Sequence, residues 1–301
     1  MTVPWAKHEG IISEWLAAAG ARKIGHGHWA LTLKHEGIAA SAVIEEDTWL
    51  ALRLPLVDAR AGTDSWSLLK RNADLAGLCK FALDPGHGTR QLRAEMPLDP
   101  ESKFVTLPRR ISETLECFAG ALKDRQGPAE GRDKDSAPES EKEQEACEPE
   151  ERIKLADLLN EAGWQFVERS PLKAAVDLEV RAGFAQAVIE SQNGRGILAS
   201  VETAKFDTLS GKQRLALGNF LLAVCGAIRM VRASFVEAET SALARFEVRL
   251  TAPKPFELGH ALTALSVAMN FCGREAQCFA NEQVAEVYLA ANKQACIQKV
   301  Q

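Results

Sequence analysis

Residues 126–151 read QGPAEGRDKDSAPESEKEQEACEPEE, and this segment divides the chain into two parts. It contains ten acidic and three basic residues and no leucine, isoleucine, valine, phenylalanine, tryptophan or tyrosine. A segment of this composition cannot bury enough apolar surface to offset the entropy that it loses on ordering. We therefore predict a disordered acidic linker, or alternatively an acidic partner-binding tail, between domains at residues 1–125 and 152–301.

The charge balance argues against several classes of partner. The chain carries a net charge of −5 and the linker alone carries −7, so the rest carries +2 (−5 minus −7). A nucleic-acid-binding protein usually has a strong basic field, and we expect no nucleic-acid partner here. The most apolar run, residues 215–228, is too short to cross a bilayer, and no secretory signal is evident. We therefore expect a cytoplasmic protein with no membrane partner, whose seven cysteines are free thiols, mostly buried.

The same order of elements is predicted on both sides of the linker. Each part opens with an amphipathic helix closed by a glycine, IISEWLAAAG at residues 11–20 and IKLADLLNEAG at residues 153–163. Each part ends with a helix that begins at a proline, Pro108 or Pro255. A last helix at residues 281–299 has no counterpart in the first part. Matched elements recur at a nearly constant distance along the chain, which predicts an internal duplication.

Between these helices the pattern predicts three strands, a helix and two further strands in each part. The first three strands are expected at residues 29–34, 38–46 and 48–57, and at residues 174–181, 184–192 and 196–203. Asn193-Gly194 is the clearest hairpin turn, because both residues tolerate positive φ. The predicted class is α+β, with two tandem α-β-β-β-α-β-β-α domains, each an antiparallel sheet with helices packed on it. Two unrelated α+β domains are the alternative.

This order of elements resembles the type III secretion chaperone-like fold. The features that carry the resemblance are the opening helices with Gly20 and Gly163, the Asn193-Gly194 hairpin and the proline-started closing helices. Members of that family are small acidic cytosolic proteins, usually one domain that forms a homodimer. The resemblance therefore implies that the two halves of this chain pack together as an intramolecular pseudo-dimer. The long acidic linker and the extra C-terminal helix depart from the family's usual form.

No residue pattern indicates catalysis. His26 and His28 lie close to His35, but no acidic or thiolate ligand has the spacing of a zinc site. Nucleophile-elbow, phosphate-loop and dinucleotide glycine motifs do not occur in the sequence. We therefore predict a protein that is not an enzyme, with no cofactor and no metal.

The candidate protein-binding residues lie on a predicted strand, WLALRLPL at residues 49–56. Alternation places its four leucines on one face, and Trp49, Arg53 and Pro55 on the other. The leucine face is expected to be core, and the opposite face is a candidate docking surface, although plain packing of Trp49 is the simpler alternative. Pro55 suits an edge position, where no backbone donor is needed. We add Leu198, in the second part, as a further candidate protein-binding residue.

Three functions agree with this reading. The first is a non-catalytic polypeptide-binding module that holds an unknown protein or peptide client in an apolar groove or along a strand edge. The alternative is a ligand-binding protein or enzyme that uses a cleft between the two halves. A third hypothesis is a structural scaffold that uses the final helix. Fold resemblance alone does not decide between them.

Overall fold

The computed structural model confirms an α+β fold with two similar halves. It describes residues 9–33, 38–56, 64–84, 88–98, 104–123, 154–181, 183–192, 196–237 and 241–298. The predicted linker and the predicted Asn193-Gly194 turn lie outside these ranges. No helix in the described part of the chain has the length and apolar character needed to cross a bilayer.

Both halves have the same order of elements, and the second half adds one more helix at its end. The first half contains α1 (Glu9–Ala18), β1 (Ala21–Gly25), β2 (His28–Leu33), β3 (Ile38–Glu45), β4 (Trp49–Pro55), α2 (Ser65–Asn72), β5 (Lys80–Leu83), β6 (Arg90–Pro97) and α3 (Leu107–Lys123). The second half contains α4 (Leu155–Glu161), β7 (Val167–Ser170), β8 (Lys173–Val180), β9 (Gly183–Gln192), β10 (Gly196–Phe206), α5 (Gly211–Ala227), β11 (Arg232–Glu237), β12 (Ala242–Thr251), α6 (Pro255–Cys278) and α7 (Glu282–Gln298).

Each half forms one antiparallel sheet with the same strand order. The orders are β1-β2-β3-β4-β6-β5 in the first half and β7-β8-β9-β10-β12-β11 in the second. The structure adds one strand to each predicted half, β1 and β7, at the outer edge of the sheet. Most side chains of these two short strands are exposed, so they lack the apolar alternation that marks a strand in sequence.

Local signals explain the boundaries of several elements. The turns after α1 and α4 contain Gly20 and Gly163 with φ of 89° and 75°, a conformation that other residues adopt only with strain. Ser210 caps α5 through a reciprocal capping box with Gln213. As predicted, α6 begins at Pro255, where a missing N–H leaves no bond unmade.

The core lies between the sheets and the helices and forms one cluster of buried residues from both halves. The leucine face of β4 is buried, as predicted, with Leu50, Leu52 and Leu54 fully inaccessible. In the second half α6 packs across β8, β9, β10 and β12. The middle helices cross over, because α2 packs on β11 of the second half and α5 packs on β5 of the first half. As a result, β5 and β11, which lie at the edges of the two sheets that face each other, each pack against a helix of the other half.

Candidate functional site

The two halves meet where α2 and α5 contact each other. Ser65 on α2 donates a hydrogen bond from Oγ to Asn219 Oδ1 on α5, at 2.5 Å. Gly218 lies beside them, and a Cβ at this position would be 3.1 Å from both Ser65 Cβ and the Trp66 backbone nitrogen. The Trp66 ring stacks on Phe235 of β11 with centroids 3.9 Å apart. A small residue at position 218 therefore lets the two helices approach closely.

A buried lysine anchors the first half to the second. Lys80 is the first residue of β5, and its Nζ lies 2.9 Å from Glu95 Oε2 on β6, both side chains being fully buried. The same ammonium donates to the carbonyl oxygens of Ile228 at 2.7 Å and Val231 at 3.1 Å. Both carbonyls belong to the connection that precedes β11. Burial lowers the pKa of Lys80, and the Glu95 carboxylate opposes that effect.

A buried arginine makes the reciprocal contact from the second half. Arg232 is the first residue of β11, and its Nε lies 2.9 Å from Glu247 Oε1 on β12. Its Nη1 donates to the carbonyl oxygens of Leu75 at 2.7 Å and Cys79 at 3.0 Å, in the connection that precedes β5. Burial lowers the pKa of Arg232, again opposed by its carboxylate partner. Equivalent positions in the two halves therefore carry equivalent contacts.

Two further pairs of side chains extend this reciprocal junction. The Asn72 side-chain Nδ2 donates to the Phe81 carbonyl of β5, and its Oδ1 accepts from the Phe81 backbone N–H. The same Nδ2 also donates to the Ala233 carbonyl of β11, at 3.0 Å. Cys225 takes the matching place on α5, because its Sγ accepts from the Ala233 backbone N–H at 3.0 Å. At the closing helices, Arg110 and Glu257 form a buried bidentate ion pair, with Nη2–Oε2 at 2.9 Å and Nε–Oε1 at 3.1 Å.

The predicted docking residues Trp49 and Arg53 lie beside this junction. The Trp49 ring is half-buried, contacts His260 of α6 edge-on at 5.3 Å between centroids, and has the Arg229 guanidinium 5.3 Å from its centroid. Arg53 forms an ion pair with Glu45 of β3. Both aromatic contacts come from the second half, so Trp49 joins the two halves.

The other two predicted docking residues lie apart from each other. Pro55 is exposed at the end of β4. The predicted edge position is wrong, because β4 lies between β3 and β6 and Pro55 pairs with Gln91 of β6.

Leu198 is buried on β10, with 6% of its surface accessible. In the strand register, Leu198 pairs with Arg249 of β12 and Trp49 pairs with Pro97 of β6. Arg249 and Pro97 each lie two residues after the buried glutamate of their strand, so Leu198 and Trp49 hold equivalent positions in the two sheets. The structure places Trp49, Arg53 and Pro55 on the same strand, β4, and Leu198 on β10 of the other sheet.

The second half also has an open aromatic groove of about 890 Å³. We call it the α6 groove, and its lining includes Trp164, Asp177, Glu179, Arg181, Phe184 and Phe271. Phe184 is 76% exposed and Phe271 is 58% exposed. Exposed aromatic side chains gathered in a concave surface are typical of sites that bind a partner.

Hydrogen bonds fix the shape of the α6 groove. Ser266 Oγ on α6 donates to the Glu179 carbonyl oxygen at 2.7 Å, and Asn270 Oδ1 accepts from the Arg181 backbone N–H at 2.5 Å. These bonds hold the end of β8 on the helix. The Arg181 guanidinium lies 5.2 Å from the centre of the Phe271 ring, a cation–π distance. The wall of the groove is therefore built from two well-anchored elements.

Sequence analysis did not identify the α6 groove, although a signal was present. Phe271 falls off the buried stripe of α6 and follows Val267, which is also exposed, by one turn. Phe184 falls on the strand face opposite to buried Ala187 and Ile189. An aromatic residue on the polar side of an amphipathic element was the observation that could have located the groove.

His26 and His28, weighed above as metal ligands, contact each other and α1. His28 Nδ1 lies 2.8 Å from the His26 carbonyl oxygen, and His26 Nδ1 lies 3.2 Å from Glu9 Oε2. His35 lies outside the described residues. Within the described ranges, no group of three or more histidine, cysteine, aspartate or glutamate side chains is placed to hold a metal ion.

Comparison with protein-family models and with curated proteins gives no match. Among solved structures, the chain is similar to the di-domain ARO/CYC BexL from the BE-7585A biosynthetic pathway. The two chains are 13% identical, and the similarity covers 88% of this chain and 87% of that chain with a TM-score of 0.14. A TM-score this low carries no argument about the fold or the function of this chain.

Proposed function

We propose that the chain is a non-catalytic polypeptide-binding module, similar to type III secretion chaperones, whose two halves act as an intramolecular pseudo-dimer. The reciprocal contacts of Lys80 and Arg232 support the pseudo-dimer, because each cation reaches the connection before the other's strand. An interface in which equivalent residues make equivalent contacts is the arrangement found in two-fold symmetric dimers. The proposal also places this protein in the cytoplasm.

The α6 groove is the observation that carries the binding role. It combines exposed Phe184 and Phe271 with two exposed carboxylates, Asp177 and Glu179. The cation in its lining, Arg181, is held over the Phe271 ring. We therefore propose that the groove binds a peptide segment in which a large apolar side chain lies next to a lysine or an arginine. An acidic peptide is a poor occupant, because its charge would be repelled by Asp177 and Glu179.

The outer sheet edges favour the groove over addition of a strand. β1 and β7 are five and four residues long, and each contains a register shift, at Lys23/Gly25 and at Glu168/Ser170. Short, shifted and charged edge strands are devices that prevent pairing with another chain. The inner edges, β5 and β11, are covered by the opposite half. A client held along a strand edge is thus the less favoured form of the proposal.

One observation supports the alternative of a ligand site between the halves. A recess of about 310 Å³ lies where the start of α3 meets the β12–α6 connection, lined in part by Arg109, Arg110 and Lys254. Arg110 is already bonded to Glu257 and Glu113 there. Since these carboxylates neutralise the buried cation, the recess offers a ligand less than the α6 groove does.

Labelled peptides test the proposal directly. Fluorescence anisotropy compares short peptides with a Phe-Lys or Leu-Arg pair against the same peptides with glutamate at the basic position. The Phe184→Ala/Phe271→Ala double variant should weaken binding of the basic peptides by about tenfold or more, since burial of one such ring stabilises by about 1.5–3 kcal/mol. Ile24→Ala, at a residue 60% exposed on β1, is the matched control and should bind as the wild type does.

Three results would overturn this assignment. Equal affinity for basic and acidic peptides would remove the charge argument, and unchanged affinity in the double variant would remove the groove. Loss of binding in Trp49→Ala, with its melting temperature unchanged, would move the client to the face of β4 that was predicted from sequence.

A further inference from the structure

Three arginines of the second sheet surround one buried glutamate, Glu247. Arg245 and Arg249 lie two residues before and two residues after it on β12, and Arg232 pairs with it from β11. The Nε atoms of Arg232 and Arg245 are 2.9 and 2.7 Å from its two carboxylate oxygens. Nε of Arg249 is 3.6 Å from Oε1, the oxygen that Arg232 contacts. We call these four residues the β12 cluster, in which three positive charges meet one negative charge, a balance of +2.

Two nitrogen atoms of the β12 cluster have hydrogens to donate. Arg232 Nη2 and Arg249 Nε are buried, and neither has a hydrogen-bond partner among the residues that the structure describes. The Arg232 side chain is only 2% exposed, and a buried donor without a partner is costly. The side chains of Arg245 and Arg249 are 21% and 23% exposed, so the cluster can be reached from solution on their side.

The equivalent group of the first half is closed by a second carboxylate. Arg93 lies two residues before the buried glutamate of β6 and corresponds to Arg245. Its Nε is 2.5 Å from that glutamate, and its Nη2 is 2.9 Å from Oε2 of Glu45 on β3. The place of Arg249 is taken by Pro97, which has no charge. At these positions the first half therefore has one more carboxylate and one fewer arginine.

The matching carboxylate of the second half has a different partner. Glu45 pairs with Trp49 in the strand register. Glu190 pairs with Leu198, which is the equivalent of Trp49, so Glu190 is the counterpart of Glu45. Its Oε1 lies 2.6 Å from Nζ of Lys173, which neutralises it there. The β12 cluster therefore lacks the carboxylate that closes the group in the first half.

Other charged neighbours leave this excess of positive charge in place. Glu202 is opposite Arg245 in the register, but it is exposed, and solvent screens the charge of an exposed carboxylate. The Arg245 Nε lies against Glu247 instead and donates to Ser234 Oγ at 3.1 Å. The ion pairs at the start of α3 hold equal numbers of positive and negative side chains, namely Arg109, Arg110, Glu113 and Glu257.

We propose that the β12 cluster is a binding site for a phosphate group, either the free ion or a phosphate ester of a small molecule. Guanidinium groups match the oxygens of phosphate bidentately. A phosphate group carries about −1.5 to −2 charges at pH 7, which is close to the balance of the cluster, whereas a carboxylate carries only one. This site is independent of the peptide-binding proposal.

Isothermal titration calorimetry of the full chain with sodium phosphate at pH 7 tests the site, with sodium chloride keeping the ionic strength constant. We expect one phosphate per chain and weaker binding of acetate. Arg249→Gln should weaken phosphate binding by about tenfold or more, because a charge-assisted hydrogen bond is lost. Arg22→Gln removes the same charge from an exposed position on β1 and is the matched control, which should bind as the wild type does.

Thermal melts separate a ligand site from a structural ion pair. Without phosphate, Arg249→Gln should melt at the wild-type temperature or above it, because it removes one of three like charges that lie close together. Added phosphate should raise the melting temperature of the wild type more than that of the variant. Titration with phenyl phosphate identifies the source, since tighter binding than inorganic phosphate indicates an ester and weaker binding indicates the free ion.

Several results would overturn the proposal. These are no phosphate binding in the constant ionic strength, acetate binding as tight as phosphate binding, or the same loss of affinity in Arg22→Gln as in Arg249→Gln. A lower melting temperature of Arg249→Gln without phosphate, together with unchanged phosphate affinity, would make Arg249 a structural partner of Glu247 alone.

Discussion

The two halves share their inner surfaces and differ at their outer ones. At the junction each half offers a buried cation, Lys80 or Arg232, to the connection of the other. Outside it, α6 is 24 residues long against 17 in α3, and the second half adds α7. Exposed phenylalanines occur in the second half, whereas the exposed large hydrophobic side chains described in the first half are all aliphatic. The contacts that the halves share therefore hold them together, and the exposed phenylalanines found in the second half form the candidate binding surface.

The largest loss of stability is expected from breaking the buried ion pairs of Arg232 and Lys80. Comparing the two losses also compares the two cations. Glu247→Gln leaves Arg232 buried without its carboxylate and should lower the free energy of unfolding by about 3–5 kcal/mol. Glu95→Gln should cost less, because burial already lowers the pKa of Lys80 and its amine can lose the proton, whereas a guanidinium keeps its charge. Urea denaturation at pH 7 measures both.

The pH dependence sharpens this comparison. A lysine whose folded pKa is lowered binds fewer protons in the folded state than in the unfolded state, so its contribution to stability rises with pH toward 10.5. Glu95→Gln should therefore recover part of its loss between pH 7 and pH 9, and Glu247→Gln should not. Glu286→Gln, at an exposed pair with Lys212, should have no measurable effect. Equal losses for the two junction variants at all pH values would contradict the assignment.

The next effect concerns the close approach of α2 and α5. Gly218→Ala would place a Cβ 3.1 Å from the Trp66 backbone nitrogen, and overpacking at such a site should lower stability by about 1–3 kcal/mol. Gly120→Ala on α3 meets nothing within 4 Å and should raise stability by about 0.5–1 kcal/mol. Thermal melts of the two variants check the opposite signs. A stabilising Gly218→Ala would mean that the halves are packed less tightly there.

The smallest effect compares the caps of the two middle helices. Asp64 caps α2 by accepting from the Ser67 backbone N–H, and Ser210 caps α5, so alanine at either position should cost about 1 kcal/mol at pH 7. The bond from Ser67 lowers the pKa of Asp64 below its ordinary value of 3.8. Its contribution is therefore complete above pH 3.8 and is lost as the pH falls through the lowered pKa.

Urea denaturation at pH 7 and pH 2.5 separates the two caps. The cost of Asp64→Ala should shrink at the lower pH, whereas the cost of Ser210→Ala should stay constant because a hydroxyl does not titrate. A constant cost at Asp64 would show that its carboxylate is not the capping group.

Local patterns predicted much of each half and little of their contact. The opening and closing helices, the core face of β4 and the α+β class follow from apolar spacing and from Gly20, Gly163 and Pro255. Strands β1 and β7 were missed because their side chains face water. The crossover of α2 and α5 could not be predicted, because Lys80 reaches carbonyl groups about 150 residues away, which no local spacing encodes.

The candidate site was predicted less well than the fold. Alternation on β4 singled out Trp49 and Arg53, which lie at the junction, but it could not reveal that His260 and Arg229 cover the Trp49 ring. The α6 groove lies between the end of a strand and a helix, so Phe184 and Phe271 line one groove only because of the tertiary structure. Burial patterns within each element explain why both are exposed, and only the fold brings them together.

The Arg110–Glu257 pair has a consequence for how the halves recognise each other. Each residue lies two positions after the proline near the start of its closing helix, so the two positions correspond. If the two halves were identical, two arginines or two glutamates would lie against each other at this position. Their repulsion would be strong because the position is buried. Covalent linkage removes the requirement for self-matching. In the proposed pseudo-dimer, each half would therefore favour the other half over a second copy of itself.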